Sequence, residues 1–272
     1  MFKSRPANID YSPHEQYFYH SIDLKNGETF KGDWDLRGKF EQYTGHTDLS
    51  EKSVIDVGTA SGFLAFEAEK TCKNCTAIDL PINGSWDVVP YAKKNLNSDK
   101  INDRAYVDKC LSEAMQSRDE ETRRTSIDSM RKGFWYAHLK NESNVRLYES
   151  AVYDVKPDIG FHDTAIFGSI LLHLRDPFRA LQTVTRHVRQ EVIVADLYHE
   201  SLEKDNSKEF LEFLPNAKRQ QPNNAWWRVK TSTVQEMLQI LGFKTKHFSV
   251  SDYKFKDKER PVFTLVAERV KF

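Results

Sequence analysis

The stretch from Ser53 to Leu80 constrains the fold more than any other part of the chain. It reads SVIDVGTASGFLAFEAEKTCKNCTAIDL. A short apolar run carries Asp56 near its end, a turn of small residues follows at Gly58–Gly62, a helical pattern comes next, and a second apolar run ends at Asp79. This succession of strand, glycine turn, helix and strand predicts one βαβ half of a nucleotide-binding sheet.

The glycine turn and the acid after it favour one kind of ligand. Gly58 and Gly62 have no Cβ, so the backbone can approach a ligand closely, and the helix that follows points free N–H groups into the same space. Asp79 lies 23 residues beyond Asp56, and a carboxylate in this position can accept both hydroxyls of a ribose. The turn lacks the third glycine of the dinucleotide fingerprint, which disfavours a dehydrogenase.

Composition narrows the classes of protein and ligand that remain possible. The 272 residues, 39% of them hydrophobic, suffice for one large α/β domain or for one domain plus a small addition. Basic and acidic residues number 40 each, which argues against a general electrostatic affinity for nucleic acid. Few cysteines and no apolar stretch of about 20 residues predict a soluble cytoplasmic protein. Cys72 and Cys75 have no second ligand pair at zinc spacing, so we expect no metal.

Two segments stand apart from the βαβ pattern. Residues 1–50 are aromatic and polar, with an Asn26-Gly27 turn that predicts a β-hairpin and a short helix from about Asp35 to Tyr43. We interpret residues 1–50 as a lid and substrate segment, and residues 51–272 as the main domain. Within that domain, residues 91–140 are polar and highly charged, and their spacing predicts a helical insertion with an exposed middle.

The rest of the chain alternates strand and helix signals. Asp176-Pro177 predicts the start of a helix, and Thr233-x-x-Glu236 predicts a capping box for a helix that ends at Gly242. Further strands are predicted at about 145–148, 164–167, 191–196, 243–250 and 262–268. The pattern predicts a parallel sheet with an antiparallel edge.

These motifs resemble a known family. The turn Asp56-Val-Gly-Thr-Ala-Ser-Gly62, followed by Asp79, resembles motif I and the ribose-binding acid of class I S-adenosylmethionine-dependent methyltransferases. The stretch 167–181, FGSILLHLRDPFRAL, is similar to the motif IV region of a subgroup that resembles the tRNA wobble-uridine carboxymethyltransferase. The resemblance implies a Rossmann-like methyltransferase domain with a seven-stranded, mostly parallel sheet and an antiparallel terminal strand.

The resemblance also implies which residues bind S-adenosylmethionine. Turn residues would hold the methionine part, Asp79 the ribose and Leu80 the adenine, while Ser150 stands where an acid is common in the family. The implied cofactor-binding residues are Asp56, Gly58, Thr59, Gly62, Asp79, Leu80, Ser150, Ala151, Gly168 and Ser169.

One departure from the subgroup bears on the reaction. Leu172 stands where the carboxymethylating enzyme has a tyrosine, and an apolar side chain cannot hydrogen-bond an added carboxylate. We therefore expect plain S-adenosylmethionine as the cofactor and a small-molecule acceptor, methylated at oxygen. A tRNA-modifying methyltransferase and a non-catalytic, cofactor-binding partner subunit remain alternatives, and the oligomeric state stays open.

Candidate catalytic and substrate residues follow from position and chemistry. His173 comes just after the fourth strand and has a reference pKa near neutrality, so it is the first candidate for a general base, with His20 as the second. A purely structural role is the alternative for each. Candidate substrate contacts are the aromatic and basic residues Tyr19, Trp34, Arg37, Trp226, Trp227 and Arg228.

Overall fold

The fold is described from a computed structural model. Its described residues are 1–12, 15–91, 100, 102–106, 126–205, 208–222 and 224–270. The first half of the predicted insertion and its exposed middle lie largely outside these ranges.

Strands outnumber α-helices among the described residues. In chain order they are β1 (Phe2–Lys3), β2 (Ile22–Asp23), β3 (Thr29–Phe30), β4 (Trp34–Asp35), β5 (Ser53–Val57), β6 (Asn74–Asp79), β7 (Arg146–Glu149), β8 (His162–Gly168), β9 (Val188–Leu197), β10 (Leu211–Phe213), β11 (Trp227–Val229), β12 (Phe243–Phe255) and β13 (Lys258–Arg269). The α-helices among these residues are α1 (Phe40–Tyr43), α2 (Phe63–Glu69), α3 (Ile127–Lys140), α4 (Pro177–Thr185), α5 (Glu200–Glu203) and α6 (Thr231–Ile240).

The main sheet has the order β1-β7-β6-β5-β8-β9-β13-β12-β4. Strands β7, β6, β5, β8 and β9 are parallel neighbours, and β13 runs antiparallel between β9 and β12. The parallel part starts in the middle at β5 and winds outward in both directions, as in doubly wound folds. The predicted Rossmann-like α/β class and the antiparallel strand near the chain end are therefore confirmed.

The prediction of seven strands is wrong, because the sheet formed by the described residues has nine. The two additional strands are two-residue edges from the N-terminal segment. β1 pairs with β7 at one end of the sheet, and β4 pairs with β12 at the other. Strands this short carry no periodicity that a sequence pattern could reveal.

The sheet is buried on both faces. Val54 and Ile55, neighbours on β5, are fully buried in two different apolar clusters, since successive side chains of a strand point to opposite faces. One cluster includes residues of α2 and α3, and the other includes residues of α4 and α6. This arrangement with helices on both faces is what parallel sheets require.

The N-terminal segment differs in detail from its prediction. The hairpin around Asn26-Gly27 is confirmed, although its paired strands β2 and β3 are only two residues each. The helix predicted from about Asp35 to Tyr43 is shorter in the structure, where only α1 is helical. Trp34 and Asp35 pair with β12 instead.

The two predicted helix starts have different outcomes. Asp176 caps α4 as predicted, and its side chain accepts a hydrogen bond of 2.9 Å from the backbone N–H of Arg179. The predicted capping box is wrong, because α6 begins at Thr231. The Thr233 hydroxyl donates instead to the backbone oxygen of Phe210, at 2.8 Å.

Candidate active site

The turn after β5 is shaped by left-handed backbone. Gly58 has φ +74°, Ala60 +51° and Gly62 +94°. The backbone N–H groups of Gly58 and Thr59 both donate to the oxygen of Ile78, at 2.9 and 3.0 Å, which ties the turn to β6. The positive φ of Gly58 favours glycine, since other residues are strained in this conformation, and a Cβ here would also lie 2.4 Å from Cδ1 of Ile170.

Asp79 closes the other side of the turn. One carboxylate oxygen accepts the N–H of Ala60 and the other accepts the N–H of Leu80, each at 2.7 Å. Burial raises the pKa of Asp79, and the Arg131 guanidinium opposes that rise. A carboxylate has about four acceptor positions, so Asp79 keeps lone pairs for a ligand.

A cavity of about 720 Å³ opens beside the turn and Asp79. It lies at the C-terminal ends of the parallel strands, where β6 and β8 flank β5 and doubly wound folds bind ligands. Its volume is in the usual range for small-molecule and cofactor sites. The predicted site residues on its wall are Tyr19, His20, Gly58, Thr59, Asp79, Leu80, Ser150, Ala151, Gly168, Ser169 and His173.

Two predicted cofactor residues lie behind the wall. Asp56 is 1% exposed, and one of its oxygens accepts the Thr59 hydroxyl at 2.7 Å. Burial raises the pKa of Asp56 to about 7. A Cβ on Gly62 would meet the rings of Phe66 and Phe134 within 2.7 Å, so Gly62 packs against α2 and α3. Both residues shape the turn from beneath.

The N-terminal candidates Trp34 and Arg37 are not on the cavity wall. Trp34 is buried, and its indole N–H donates to the Tyr19 hydroxyl at 3.2 Å, so it supports a wall residue. Arg37 forms ion pairs with Asp35 at 2.7 Å and Asp23 at 2.8 Å. Those two carboxylates raise the pKa of Arg37.

The three candidates before α6 also stand outside the wall. The indole N–H of Trp226 donates to the backbone oxygen of Asp87 at 2.5 Å, and that of Trp227 to the oxygen of Leu174 at 3.0 Å. Arg228 pairs with Glu212 at 3.0 Å. The two tryptophans therefore anchor the segment to loops that do line the cavity.

Several wall residues were not predicted from the sequence. They are charged or aromatic, and each comes from a loop or helix far from the turn along the chain. They include Asp33, Trp86, Asp87, Arg131, Arg175 and Lys256. Arg175 lies within the stretch 167–181 but was not among the predicted contacts, and no motif or spacing marks the others, since only the tertiary fold brings them together.

Asp87 organises one end of the cavity. Its carboxylate accepts the Tyr153 hydroxyl and the Arg175 backbone N–H, both at 2.6 Å. The Arg175 guanidinium lies 3.3 Å from the same carboxylate and 5.0 Å from the Trp226 ring centroid. These contacts fix the loop that follows His173.

The His173 ring has a defined tautomer. Its Nδ1 contacts the backbone oxygen of Asn224. A carbonyl oxygen can only accept, so Nδ1 carries the proton and Nε2 keeps its lone pair. Burial lowers the pKa of His173, which keeps the ring neutral near pH 7. His173 can therefore accept a proton at Nε2.

The His20 ring sits in a more apolar place. It is 9% exposed and stacks on Phe63 at 5.5 Å between ring centroids. Burial lowers the pKa of His20 to about 4, and its Nδ1 has no hydrogen-bond partner among the described residues. His20 is thus a neutral wall residue with one unused nitrogen.

Metal-binding clusters and membrane-spanning helices are both absent from the described ranges. They contain no group of three or more His, Cys, Asp or Glu side chains that could hold a metal ion. No helix within them is long and apolar enough to cross a membrane.

No protein-family model matches this sequence, and no curated protein matches it either. Solved methyltransferase structures are similar in part. Magnesium protoporphyrin IX methyltransferase from Synechocystis PCC 6803 with bound SAH is 10% identical, covers 85% of this chain and 80% of its own, and gives a TM-score of 0.48. The 1,6-didemethyltoxoflavin-N1-methyltransferase from Burkholderia thailandensis, with SAH bound, is 12% identical. That match covers 87% of this chain and 78% of the methyltransferase, with a TM-score of 0.49.

A SAM-dependent methyltransferase from Aquifex aeolicus is 14% identical, covers 85% of this chain and 90% of its own, and gives a TM-score of 0.48. Similarity at this level identifies neither a family nor a substrate. It also gives no support to the tRNA wobble-uridine subgroup. The fold class therefore rests on the strand order and directions of the sheet itself.

Proposed function

We propose that this chain is an S-adenosylmethionine-dependent methyltransferase. One observation carries the proposal: the glycine turn and the Asp79 carboxylate face a single cavity at the centre of a doubly wound sheet. Gly58 and Thr59 line the cavity together with Asp79, and Asp79 retains lone pairs for two ribose hydroxyls. These residues fit an adenosine ligand without a pyrophosphate, because the turn lacks the third glycine of the dinucleotide fingerprint.

The proposed roles divide along the wall. S-adenosylmethionine supplies an electrophilic methyl carbon when it is bound. Gly58, Thr59 and Gly168 would bind the methionine part through backbone, and Asp79 would bind the ribose. The enclosing walls would exclude water and align the acceptor, which are the main tasks of a protein in such a transfer.

We further propose methylation of a hydroxyl oxygen, with His173 as the general base. The neutral ring and the free Nε2 suit it to take a proton from an acceptor hydroxyl. His20 is the second candidate, because its Nδ1 is unused. Both rings are on the cavity wall.

A small molecule is the acceptor that the charges favour. A basic face formed by Lys93, Lys94, Arg123, Arg124, Arg131 and Lys132 would favour tRNA, and of these cations Arg131 and Lys132 lie among the described residues. Arg131 is 2% exposed, and Lys132 pairs with Glu15 at 3.3 Å and Asp128 at 3.1 Å. Lys93, Lys94, Arg123 and Arg124 lie outside the described residues. A buried cation cannot reach a phosphate backbone at the surface, and a lysine already paired with two carboxylates contributes little to binding it, so the tRNA alternative lacks support here.

Binding of S-adenosylhomocysteine (SAH) tests the proposal. Calorimetry should give a micromolar Kd for the wild type, and Asp79→Ala should weaken it more than tenfold, about 1.4 kcal/mol. Asp79→Asn should weaken it as well, since a neutral amide accepts the ribose hydroxyls less strongly. Asp252 is an exposed acid away from the cavity, so Asp252→Ala should bind SAH like the wild type.

Two other results would change the assignment. A wild type that does not bind SAH would overturn the methyltransferase proposal. SAH binding without methyl transfer to any acceptor in a broad hydroxyl-compound screen would favour the non-catalytic partner subunit.

A further inference from the structure

Arg131 is a buried cation on the wall of the cavity. It belongs to α3 and is only 2% exposed. Its Nη2 donates to the backbone oxygen of Leu80 at 2.8 Å, and its Nε lies 3.9 Å from a Glu149 carboxylate oxygen. Nε and Nη1 have no hydrogen-bond partner among the described residues. Buried donors of a charged group are costly to leave unpaired, so the guanidinium is poised to donate to a ligand.

The position of the side chain indicates which part of a ligand it would meet. Arg131 lies between the ends of β6 and β7, where Asp79-Leu80 and Glu149-Ser150 leave the sheet. Leu80, Ser150 and Ala151 line the same part of the cavity. This is the end at which Asp79 would hold the ribose.

The local charge limits the chemistry of the ligand. Arg131 contributes one positive charge, while Asp79 and Glu149 beside it contribute two negative charges when ionised. Lys3 pairs with Glu149 at 3.3 Å, so the four side chains together leave no excess positive charge to hold an added phosphate. A neutral group with lone pairs, such as a hydroxyl oxygen or a ring nitrogen, matches the two N–H groups of Nη1.

We propose that Arg131 is a further cofactor-binding residue, whose Nη1–H groups donate to acceptor atoms of the nucleoside part of the cofactor. This inference rests on the proposed methyltransferase function. Asp79 would accept hydrogen bonds from the nucleoside, and Arg131 would donate hydrogen bonds to it. The two side chains would therefore recognise donor and acceptor atoms of the same ligand. Arginine suits this role because it stays charged and presents its donors in a rigid fork.

The surrounding packing holds α3 in place for this role. The backbone N–H of Tyr17 donates to the oxygen of Ser129 at 3.0 Å. A Cβ on Gly133 would lie 2.6 Å from the backbone oxygen of Tyr17. The N-terminal segment therefore lies directly against α3, on the turns of the helix that carry Arg131. The described part of the insertion thus forms a wall of the site.

Binding of SAH and of adenosine separates this role from others. Arg131→Met removes the donors and keeps the length of the side chain. The substitution should weaken the binding of SAH and of adenosine by similar factors, about tenfold or more. The reason is that the lost contact is to the nucleoside part, which both ligands share. Lys132→Met is the matched control on the same helix, away from the cavity, and should change neither Kd by more than about twofold. Circular dichroism and thermal unfolding establish that each variant is folded, and Arg131→Gln replaces the Met variant if that one is not.

Ligand analogues supply the second arm of the test. Adenosines that each lack one acceptor (2′-deoxy, 3′-deoxy, 1-deaza, 3-deaza and 7-deaza) are titrated against both proteins. One analogue should bind the wild type more weakly than adenosine does. The same analogue and adenosine should bind Arg131→Met equally. The inference is overturned if a folded Arg131→Met binds adenosine like the wild type, or if every analogue loses equally in both proteins. Failure of the wild type to bind SAH and adenosine would instead overturn the methyltransferase proposal beneath it.

Discussion

Asp196 is buried near the end of β9 with little to stabilise its charge. It is 1% exposed and accepts the N–H of Leu197 at 2.8 Å and that of Leu172 at a longer 3.4 Å. Burial raises its pKa from 3.8 to about 7. The carboxylate holds the turn that carries His173, and its ionisation couples that turn to pH.

Asp196→Asn should make the protein more stable at pH 8. Between about pH 4 and 7 the folded state keeps a proton that the unfolded state has released, so the wild type loses stability as pH rises through this window. The amide cannot ionise, and the variant should gain about 1–3 kcal/mol at pH 8 and nothing near pH 4.

Urea unfolding at pH 4, 6 and 8 measures this difference. Asp252→Asn, an exposed acid, serves as the control and should follow the wild type at each pH. An Asp196→Asn variant that is equally or less stable than the wild type at pH 8 would contradict the assigned burial effect. The buried His20, with its pKa lowered to about 4, destabilises the fold on acidification in both proteins and cancels in the comparison.

At the scale of single elements, α4 follows directly after the His173 turn and depends on its cap. Asp176 accepts the Arg179 N–H at 2.9 Å, and Pro177 occupies the first helical position. Asp176→Ala should therefore cost about 1 kcal/mol in the free energy of unfolding. Asp176→Ser, which can still cap, should recover most of it, as chemical denaturation can measure. Equal losses in both variants would show that the cap is not what Asp176 provides.

Local signals predicted the elements that local chemistry determines. The βαβ unit, the Asn26-Gly27 hairpin and the Asp176 cap each depend on residues close together in the chain. The Thr233 capping box failed because the same hydroxyl found a partner in Phe210, 23 residues away. A local pattern cannot anticipate such a competing contact.

The candidate site shows the same division. The residues of the turn, Asp79 and the strand ends could be placed from the sequence because parallel strands bring their ends to one edge. Arg131 and Asp87 could not, since nothing near them in sequence marks a binding role. Trp226 and Trp227 look like substrate contacts by composition, yet their indole N–H groups are bonded to backbone oxygens.

For the whole molecule, the N-terminal segment ties the fold together. Its strands lie at both ends of the main sheet, and Tyr19 and His20 from the same segment reach the cavity wall. The Tyr19 N–H donates to the Ser61 hydroxyl at 3.0 Å, which joins the segment to the glycine turn. Residues 1–50 thus form part of the sheet and of the candidate site, and a role as a moving lid remains a prediction.

A crystal structure of the complex with SAH would show whether the cavity is the cofactor site. We expect SAH in the cavity beside the glycine turn, with its ribose hydroxyls within hydrogen-bond distance of Asp79, about 2.5–3.2 Å, and its adenine next to Leu80. The sulfur should face the part of the cavity that holds His173. SAH bound anywhere else, or a complex that forms only with a dinucleotide in this cavity, would contradict the account.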